Sequence, residues 1–263
     1  MPPVPALTLS DGAPIPVVGL GTWSLRGDAG AAAVAGAVRS GYRLIDSAQG
    51  YDNEEAVGRG LRGSGVDRGE LVVTTKLPNG DHGHDATLAS FDRSYEALGL
   101  GPVDLYLIHW PVPEQDRFVD SWRAIVRLRD EGRIRSIGVS NFSIEQVERV
   151  EREVGERPAV NQVELRIGHA QEALREHHRE QGIVVESYSP LKHGSALAAD
   201  PVVTAIAAAH GVAWNQVVLR WNLQLGTVVI PRSRDAARQA SNLDLFGFEL
   251  DDAEMGRLSA LRP

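Results

Sequence analysis

The sequence contains no cysteine among its 263 residues. Disulfide bonds, thiolate nucleophiles and cysteine-ligated zinc sites are therefore excluded. No apolar run approaches the roughly 20 residues that are needed to cross a bilayer, so we expect no membrane partner. Residues 1–5 lack the basic segment and the apolar run of a secretory signal peptide. Together these absences predict a cytoplasmic protein.

The chain also lacks an excess of basic residues, because 27 Lys and Arg stand against 35 Asp and Glu and give a formal charge of −8. This balance disfavours a nucleic-acid partner, whereas a small anion needs only a few local arginines. No Gly/Ser/Pro tract or block of like charge divides the chain, so we predict a single domain over residues 1–263. The Ala- and Arg-rich, Lys-poor composition indicates a bacterial source.

Eight short, mainly apolar runs alternate along the chain with segments of helical periodicity. The runs are 17–21, 44–46, 71–76, 103–109, 137–140, 160–164, 183–188 and 227–231. Several are apolar almost throughout, as is typical of parallel strands that are covered on both sides. Eight strand–helix units favour a closed (β/α)8 barrel, or TIM barrel, over an open doubly wound sheet.

An N-terminal β-hairpin is predicted before the first barrel strand. Segments 7–9 and 15–17 flank the turn dipeptide Asp11-Gly12, and we expect the hairpin to close the bottom of the barrel. Among the helices, Ser143 followed by Gln146 indicates an N-terminal cap. Residues 251–261 are predicted to form a last outer helix.

One motif imitates a dinucleotide-binding fingerprint. Residues 58–63 read GRGLRG, which matches G-x-G-x-x-G. The motif follows a helical segment rather than a strand, so it lacks the context that the fingerprint requires. We interpret it as a loose helix end.

Polar residues end three neighbouring apolar runs. Asp46 ends the second run, Lys76 the third and His109 lies at the end of the fourth, while Tyr51 is in the loop after Asp46. Functional residues of a (β/α)8 barrel lie at the carboxyl ends of its strands, so we expect these four side chains in one cleft. Taken singly each is an ordinary strand-end residue, and only the set indicates acid–base chemistry.

The four residue types suit the protonation of a carbonyl oxygen. A buried Lys76 ammonium beside the Asp46 carboxylate stays charged, and this charge favours loss of the Tyr51 proton. Tyr51 can then act as a general acid toward an oxygen that gains negative charge. His109 can donate a hydrogen bond to the same oxygen and orient the substrate.

Six motifs resemble those of the aldo-keto reductases. They are GLGTW at 19–23, GYRLIDSA at 41–48, YDNE at 51–54, TK at 75–76, DLYLIHWP at 104–111 and IGVSNF at 137–142. The resemblance covers nearly the whole chain and is greatest to bacterial members such as the 2,5-diketo-gluconate reductases. It implies transfer of a hydride from a reduced nicotinamide to an aldehyde or ketone.

The resemblance also implies roles for individual residues. The catalytic set is Asp46, Tyr51, Lys76 and His109, with Tyr51 as the proton donor. The residues implied around the nicotinamide and the pyrophosphate are Thr22, Trp23, Ser140, Asn141, Gln162, Tyr188, Ser189 and Leu191. Ser140, Asn141 and Gln162 would bind the carboxamide, and Tyr188 would stack on the nicotinamide ring.

The segment after the last run resembles the adenosine-phosphate site of the same family. The residues concerned are Arg232, Ser233, Arg238 and Asn242. Guanidinium groups and a hydroxyl match a 2′-phosphate through charge-assisted hydrogen bonds. The predicted cofactor is therefore NADPH (or NADP) rather than NADH.

The sequence departs from the family pattern at three places. Arg166 and Ile167 stand near a usual His-Pro pair, which predicts a repacked loop with an exposed arginine. Ser241 replaces an acidic residue that often helps to bind the adenine. The chain stops at Pro263 without a C-terminal loop, so we expect an open cleft of broad specificity, walled by Trp23 and Trp110.

Two other functions remain open. A barrel lyase would use Lys76 as a Schiff-base nucleophile, although Asp46 beside it would keep the amine protonated. A nicotinamide-binding regulatory protein could use the same scaffold without turnover. The resemblance implies a monomer that acts on a small carbonyl compound, and the sequence does not name that compound or the direction of the reaction.

No metal site is predicted. His82 and His84 lie in a polar loop, and His177 and His178 are adjacent on a helix. Neither pair has the further ligands that a metal ion requires.

Overall fold

The computed structural model describes residues 4–262. The strands are β1 (Ala6–Thr8), β2 (Pro14–Pro16), β3 (Gly19–Gly21), β4 (Leu44–Asp46), β5 (Val72–Leu77), β6 (Val103–Ile108), β7 (Ile134–Ser140), β8 (Val160–Glu164), β9 (Val184–Tyr188) and β10 (Val228–Val229). The helices are α1 (Gly27–Arg39), α2 (Glu54–Arg62), α3 (His84–Leu98), α4 (Phe118–Asp130), α5 (Ile144–Val154), α6 (Glu172–Glu180), α7 (Gly194–Ala199), α8 (Pro201–His210), α9 (Trp214–Gln224), α10 (Ala236–Leu243) and α11 (Asp252–Ala260).

Strands β3 to β10 form one parallel sheet in which each strand pairs with the next along the chain. Isolated parallel bridges join Val18 to Val229 and Gly21 to Arg232, and so bring the last strand against the first. Helices occupy the connections between the strands. The predicted (β/α)8 barrel is confirmed.

Alternation along each strand sends every second side chain into the barrel. On β6, Tyr106 and Ile108 pack outward among the helices, whereas Leu105 and Leu107 belong to the core inside the barrel. On β4, Ile45 faces outward and Leu44 inward, so Asp46 continues the inward row. The same parity therefore carries an apolar residue at the bottom of a strand and a polar one at its top.

The N-terminal hairpin lies at the bottom of the barrel, as predicted. Leu7 of β1 pairs with Ile15 of β2, antiparallel. Ile15 is fully buried and belongs with Leu9 to the apolar cluster of the barrel interior. The same cluster includes Leu44 and Val160, the first residues of β4 and β8. Burial of this apolar surface closes the lower end of the barrel.

The outer helices follow their sequence signals. Ser143 caps α5 by accepting from the Gln146 backbone, while the Gln146 side chain accepts from the Ser143 backbone. Asp251 caps α11 in the same way with Glu254. The predicted cap and the predicted last helix are both confirmed.

The G-x-G-x-x-G motif has a structural reason that differs from our interpretation of a loose helix end. Gly58 and Gly60 lie inside α2, where a Cβ on Gly58 would stand 2.1 Å from the Leu98 carbonyl oxygen and one on Gly60 would stand 2.6 Å from that of Ala31. Only glycine allows α2 to approach α1 and α3 this closely. The motif therefore allows close packing of three outer helices and is not a nucleotide-binding loop.

Some predicted boundaries shift. Strand β7 begins at Ile134, earlier than the predicted 137, and β10 is shorter than the predicted run. No single helix within 4–262 is long and apolar enough to cross a membrane. Helices α8 and α9 together have the length and the apolar composition of a membrane span, but the chain bends by 91° between them. Of the N-terminal segment considered for a signal peptide, residues 1–3 lie outside the described residues, as does Pro263.

Candidate active site

Three neighbouring strands carry the predicted acid–base residues to the top of the barrel. Asp46 ends β4, Lys76 is the penultimate residue of β5, and His109 follows β6. Tyr51 closes a short 3-10 turn, Gln49–Tyr51, that follows β4. The four side chains meet at one end of the barrel, as their strand positions require.

Lys76 is fully buried beneath this end of the barrel. Its Nζ donates to Asp46 Oδ1 at 2.6 Å and to the Ser47 carbonyl at 2.8 Å. Burial lowers the pKa of the Lys76 ammonium, but the charge of Asp46 and the hydrogen bond to Asp46 oppose it, and the net pKa is raised. Lys76 is therefore a fixed positive charge.

Tyr51 lies beside that charge, with Lys76 Nζ 5.1 Å from the centroid of its ring. Burial raises the pKa of the Tyr51 hydroxyl and Lys76 lowers it, and burial prevails. The effect of Lys76 has the sign expected from the sequence, but the net pKa lies above the ordinary value. The hydroxyl consequently keeps its proton at neutral pH, which is the state that a proton donor needs.

His109 packs edge-on against Tyr51, with ring centroids 5.7 Å apart and ring planes at 75°. Burial, with a smaller contribution from Lys76, lowers the pKa of His109 to about 3. The imidazole is thus neutral at physiological pH. A neutral ring carries one N–H donor, which can bond to an oxygen in the cleft.

A buried polar network holds the start of this site in place. Thr22 Oγ1 donates to the Asp46 carbonyl at 2.9 Å, Asn53 Nδ2 donates to the Thr22 carbonyl at 2.8 Å, and Ser47 Oγ donates to Asn53 Oδ1 at 2.8 Å. The Thr22 hydroxyl is used in this internal hydrogen-bond network, and the side chain is fully buried. Any contact of residue 22 with a ligand would have to come from its backbone.

Ser140, Asn141, Gln162 and Tyr188 meet on the opposite wall. Ser140 Oγ donates to the Gln162 carbonyl at 2.8 Å, and Tyr188 Oη donates to Asn141 Oδ1 at 2.9 Å. Asn141 Nδ2 donates to the His109 carbonyl at 3.0 Å. Asn141 adopts φ of 63°, a left-handed conformation that asparagine tolerates better than most residues. The hydrogen bond from Asn141 to His109 connects this wall directly to the residue that carries the imidazole.

Glu186 is the residue of this region that the sequence analysis missed. It lies in β9 two residues before Tyr188, so its side chain points into the barrel, and it is fully buried. Gln162 Nε2 donates both to Glu186 Oε2 at 2.6 Å and to Asp46 Oδ1 at 2.8 Å. The available signal was a charged residue at an inward position of an otherwise buried strand.

A cavity of about 410 Å³ opens above these groups. Its lining includes the predicted residues Trp23, Asp46, Tyr51, His109, Trp110, Ser140, Asn141, Gln162, Tyr188, Ser189 and Arg232. Trp23 and Trp110 expose 59% and 44% of their surfaces, which is unusual for tryptophan. Lys76 lies beneath the floor of the cavity, and Leu191 packs partly buried against the core.

The predicted adenosine-side residues lie apart from the cavity, with the exception of Arg232. Arg232 Nη1 donates to Ser24 Oγ at 2.6 Å, and its guanidinium stacks on Trp23 at 5.0 Å. Ser233 precedes α10 by three residues, and Arg238 and Asn242 belong to that helix. Arg238 is exposed, whereas Asn242 is buried and its Oδ1 accepts from Asn215.

The loop after β8 differs from the expectation in one respect. Arg166 is half-buried rather than exposed, because its Nε donates to Glu164 Oε1 at 2.8 Å and its Nη1 donates to the Ile167 carbonyl. Lys192 Nζ reaches the same carboxylate at 2.9 Å. Ser241, the second departure, shares a hydrogen bond with Asn215 at 3.0 Å. Both of these departures from the family pattern therefore have hydrogen-bond partners within the chain.

The histidines that the sequence analysis excluded as metal ligands lie outside the cavity. His82 lies in the loop before α3 and is buried, whereas His84 is the first residue of α3. His178 bonds to Asn161 through its ring at 2.9 Å. Within residues 4–262, no group of three or more His, Asp or Glu side chains is arranged to hold a metal ion.

Comparison with known proteins gives a consistent result. The Aldo/keto reductase family model matches residues 17–263. An aldo-keto reductase of Mycolicibacterium smegmatis is 50% identical over 98% of this chain and 93% of its own. The 2,5-diketo-D-gluconic acid reductase B of a Corynebacterium species is 47% identical over 99% of this chain and 94% of its own. Among solved structures, a variant of Gox0644 in complex with NADPH has a TM-score of 0.93 and 43% identity, and the match covers 97% of this chain and 93% of that chain.

Proposed function

The chain belongs to the aldo/keto reductase family of oxidoreductases, and from this premise we propose that it reduces aldehydes and ketones to alcohols with NADPH, using Tyr51 as the proton donor. The observation that carries the proposal is the buried Asp46–Lys76 ion pair beside the Tyr51 ring at the mouth of the barrel. Well-packed apolar side chains often stabilise a fold as much as a buried ion pair does, so the pair is better explained by chemistry than by stability.

The residues of the cavity fit a nicotinamide. The Tyr188 ring lines the cavity and is held by Asn141, so it offers a flat surface for stacking. Gln162 uses its Nε2 for two carboxyl groups, and its Oε1 accepts no hydrogen bond from any residue in 4–262. That oxygen is available to a carboxamide N–H. The volume of about 410 Å³ lies within the range of small-molecule sites.

Tyr51 and Lys76 supply the proton and the charge that the reduction needs. Tyr51 keeps its proton until a carbonyl oxygen gains negative charge, and then donates it. The Lys76 ammonium, held by Asp46 at 2.6 Å, stabilises the tyrosinate that remains. A reduced nicotinamide, when bound, supplies the hydride.

His109 and the two tryptophans orient the substrate. The neutral His109 ring donates a hydrogen bond to the same carbonyl oxygen that Tyr51 protonates. Trp23 and Trp110 contribute apolar walls to the same cavity. Because one relative is named a 2,5-diketo-D-gluconic acid reductase, dicarbonyl compounds and keto sugars belong among the first substrates to test.

The preference for NADPH over NADH rests on the arginines near α10. Arg232, Arg234 and Arg238 are all exposed and lie within one segment of the chain. With Asp235 as the one acidic residue among them, they give this segment an excess of positive charge in a chain whose formal charge is −8. Guanidinium groups bind a phosphate through charge-assisted hydrogen bonds. The NADPH complex of Gox0644 supports this choice.

The alternative of a Schiff-base lyase is disfavoured by the state of Lys76. The amine has no exposed surface and its pKa is raised by its partners. A nucleophilic lysine needs a lowered pKa and access to the substrate. Lys76 has neither.

The proposal is tested by mixing the purified chain with NADPH and a panel of aldehydes, dicarbonyls and keto sugars, with NADH run in parallel. We expect oxidation of NADPH to depend on the carbonyl compound and to exceed that of NADH. Binding of NADPH without turnover of any compound would instead favour the regulatory function. No binding of either cofactor would refute the proposal.

A further inference from the structure

Glu186 is a carboxyl group that neither the acid–base set nor the cavity wall explains. It occupies an inward position of β9, with Val184 below it and Tyr188 above it. Within the sheet it pairs with Gln162 of β8 on one side and with Val228 of β10 on the other. The side chain is fully buried, and Oε1 has no hydrogen-bond partner among the described residues. A carboxyl group buried in such a place is costly unless it is neutral or both of its oxygens find partners.

The contacts of Glu186 fix the side chain of one cavity residue. Gln162 Nε2 donates to Asp46 Oδ1 at 2.8 Å and to Glu186 Oε2 at 2.6 Å. Asp46 Oδ1 is shared, because Lys76 Nζ also donates to it at 2.6 Å. A single acceptor would leave the amide able to rotate about that one bond. The second acceptor, Glu186, fixes the plane of the amide and engages both N–H groups.

Once both N–H groups face the barrel interior, the amide oxygen must face the other way. Gln162 lines the cavity, and its Oε1 accepts no hydrogen bond from any described residue. The cavity therefore presents an acceptor at this point and not a donor. The ligand group that matches an acceptor is an N–H, and the nicotinamide carboxamide carries one.

The charge around Glu186 is compatible with this role. The titratable groups that act on it are Asp46 and Lys76, and Gln162 is its hydrogen-bonding neighbour. Burial, with a smaller contribution from Asp46, raises the pKa of Glu186 to about 8. A neutral carboxyl group still offers its carbonyl oxygen as an acceptor. It does so without placing a second negative charge beside the Asp46–Lys76 pair.

We propose that Glu186 is a positioning residue for the cofactor, because it holds the Gln162 amide with Oε1 toward the cavity, where Oε1 accepts the carboxamide N–H of the nicotinamide. The inference rests on the proposed function, since it requires a nicotinamide in this cavity. It adds a residue that touches neither substrate nor cofactor and acts only through Gln162.

The test compares two ligands that differ at the group concerned. NADP+ carries the carboxamide NH2, whereas its 3-acetylpyridine analogue carries a methyl group there. Affinities are measured by quenching of tryptophan fluorescence for the wild type, Glu186→Met and Glu186→Gln. We expect Glu186→Met to bind NADP+ about five- to tenfold more weakly, the loss of roughly one hydrogen bond, and to bind the analogue as the wild type does. Glu186→Gln retains an acceptor oxygen and should keep the preference for NADP+.

Other results separate the possible failures. Equal weakening of both ligands in Glu186→Met would show a packing role and overturn the inference, as would an unchanged preference for NADP+. Failure of the wild type to bind NADP+ at all would overturn the proposed function itself. If Glu186→Met does not fold, Glu186→Thr makes the same comparison, because threonine suits a strand and is too short to reach the Gln162 amide.

Discussion

The two ends of the barrel interior are built from the same strands in opposite ways. At the bottom, Leu44, Val160 and Val228 pack with Ile15 of the hairpin, and all are fully buried and apolar. Two residues further along two of these strands, the same inward rows reach Asp46 and Gln162. The bottom is closed by apolar packing, whereas the top holds buried polar groups below an open cavity.

This difference separates stability from chemistry within single strands. An apolar residue at the bottom contributes through its buried surface and its packing. A polar residue at the top pays a desolvation cost that only a matched partner offsets. A substitution at the bottom of a strand should therefore lower the free energy of unfolding, whereas one at the top should also lower kcat.

The largest effect is expected for Tyr51→Phe at the top. This change removes the hydroxyl and keeps the ring against His109. We predict that kcat for carbonyl reduction falls by about 10²–10⁴, while NADPH binding and the thermal midpoint change little. Steady-state kinetics and fluorescence titration measure the two quantities. A variant with wild-type kcat would remove Tyr51 from the role of proton donor.

Lys76→Met should damage both properties, because it leaves Asp46 buried without its cation. We predict a loss of about 3–5 kcal/mol in the free energy of unfolding, together with a strong fall in kcat. Chemical denaturation and kinetics on the same preparation test this. Arg257→Ala, at an exposed position of α11, serves as a control that should change neither. Retention of full stability would mean that the pair at 2.6 Å is not an effective ion pair.

Leu44→Ala changes the bottom of the strand that ends at Asp46. We predict a loss of about 2–5 kcal/mol in the free energy of unfolding from the cavity that it creates. The value of kcat at a temperature where the variant is folded should remain within a factor of about two, since no polar group at the top is altered. A large fall in kcat would show that the two ends are coupled rather than separate.

The raised pKa of Glu186 should make the stability of the protein depend on pH. Its pKa in the folded chain is raised from 4.5 to about 8, so the folded state holds a proton that the unfolded state has released. Stability from this group is therefore greatest at low pH and declines as pH rises from 4.5 to 8. We expect the thermal midpoint of the wild type to fall relative to that of Glu186→Gln across this interval. A constant difference between the two proteins would contradict the raised pKa.

The smallest effect is expected at the exposed arginine of α10. Arg238→Ala should reduce the preference for NADPH over NADH by roughly tenfold, the loss of a charge-assisted contact to a phosphate. Affinity for NADH should be unchanged. The ratio of kcat/KM for the two cofactors measures the effect, with Arg257→Ala again as the control. An unchanged ratio would place the phosphate elsewhere.

Much of this organisation could be predicted from the sequence, for reasons that the structure makes plain. The barrel strands are nearly continuous apolar runs, so their number and order were readable, and Asp46, Lys76 and His109 stood out as polar residues at the ends of those runs. The prediction of a (β/α)8 barrel with an N-terminal hairpin is confirmed. One domain over residues 1–263, a monomer and a cytoplasmic location stay predictions.

What could not be predicted depends on contacts between distant segments. Glu186 lies in the middle of its strand and acquires meaning only from Gln162 on the neighbouring strand. Gly58 and Gly60 are explained by the backbones of α1 and α3 that approach them. Arg166 was expected to be exposed, but Glu164, its partner two residues earlier, is also held by Lys192 from beyond β9. Local pattern does not encode these pairings.

The central claim is that the polar top of the barrel reduces a carbonyl by direct transfer of hydride from NADPH. It is tested most directly with NADPH that carries deuterium on both faces of C4, mixed with the wild-type chain and a dicarbonyl substrate. Mass spectrometry of the alcohol should find one deuterium on the former carbonyl carbon. An alcohol without deuterium, or no alcohol despite bound cofactor, would contradict the account.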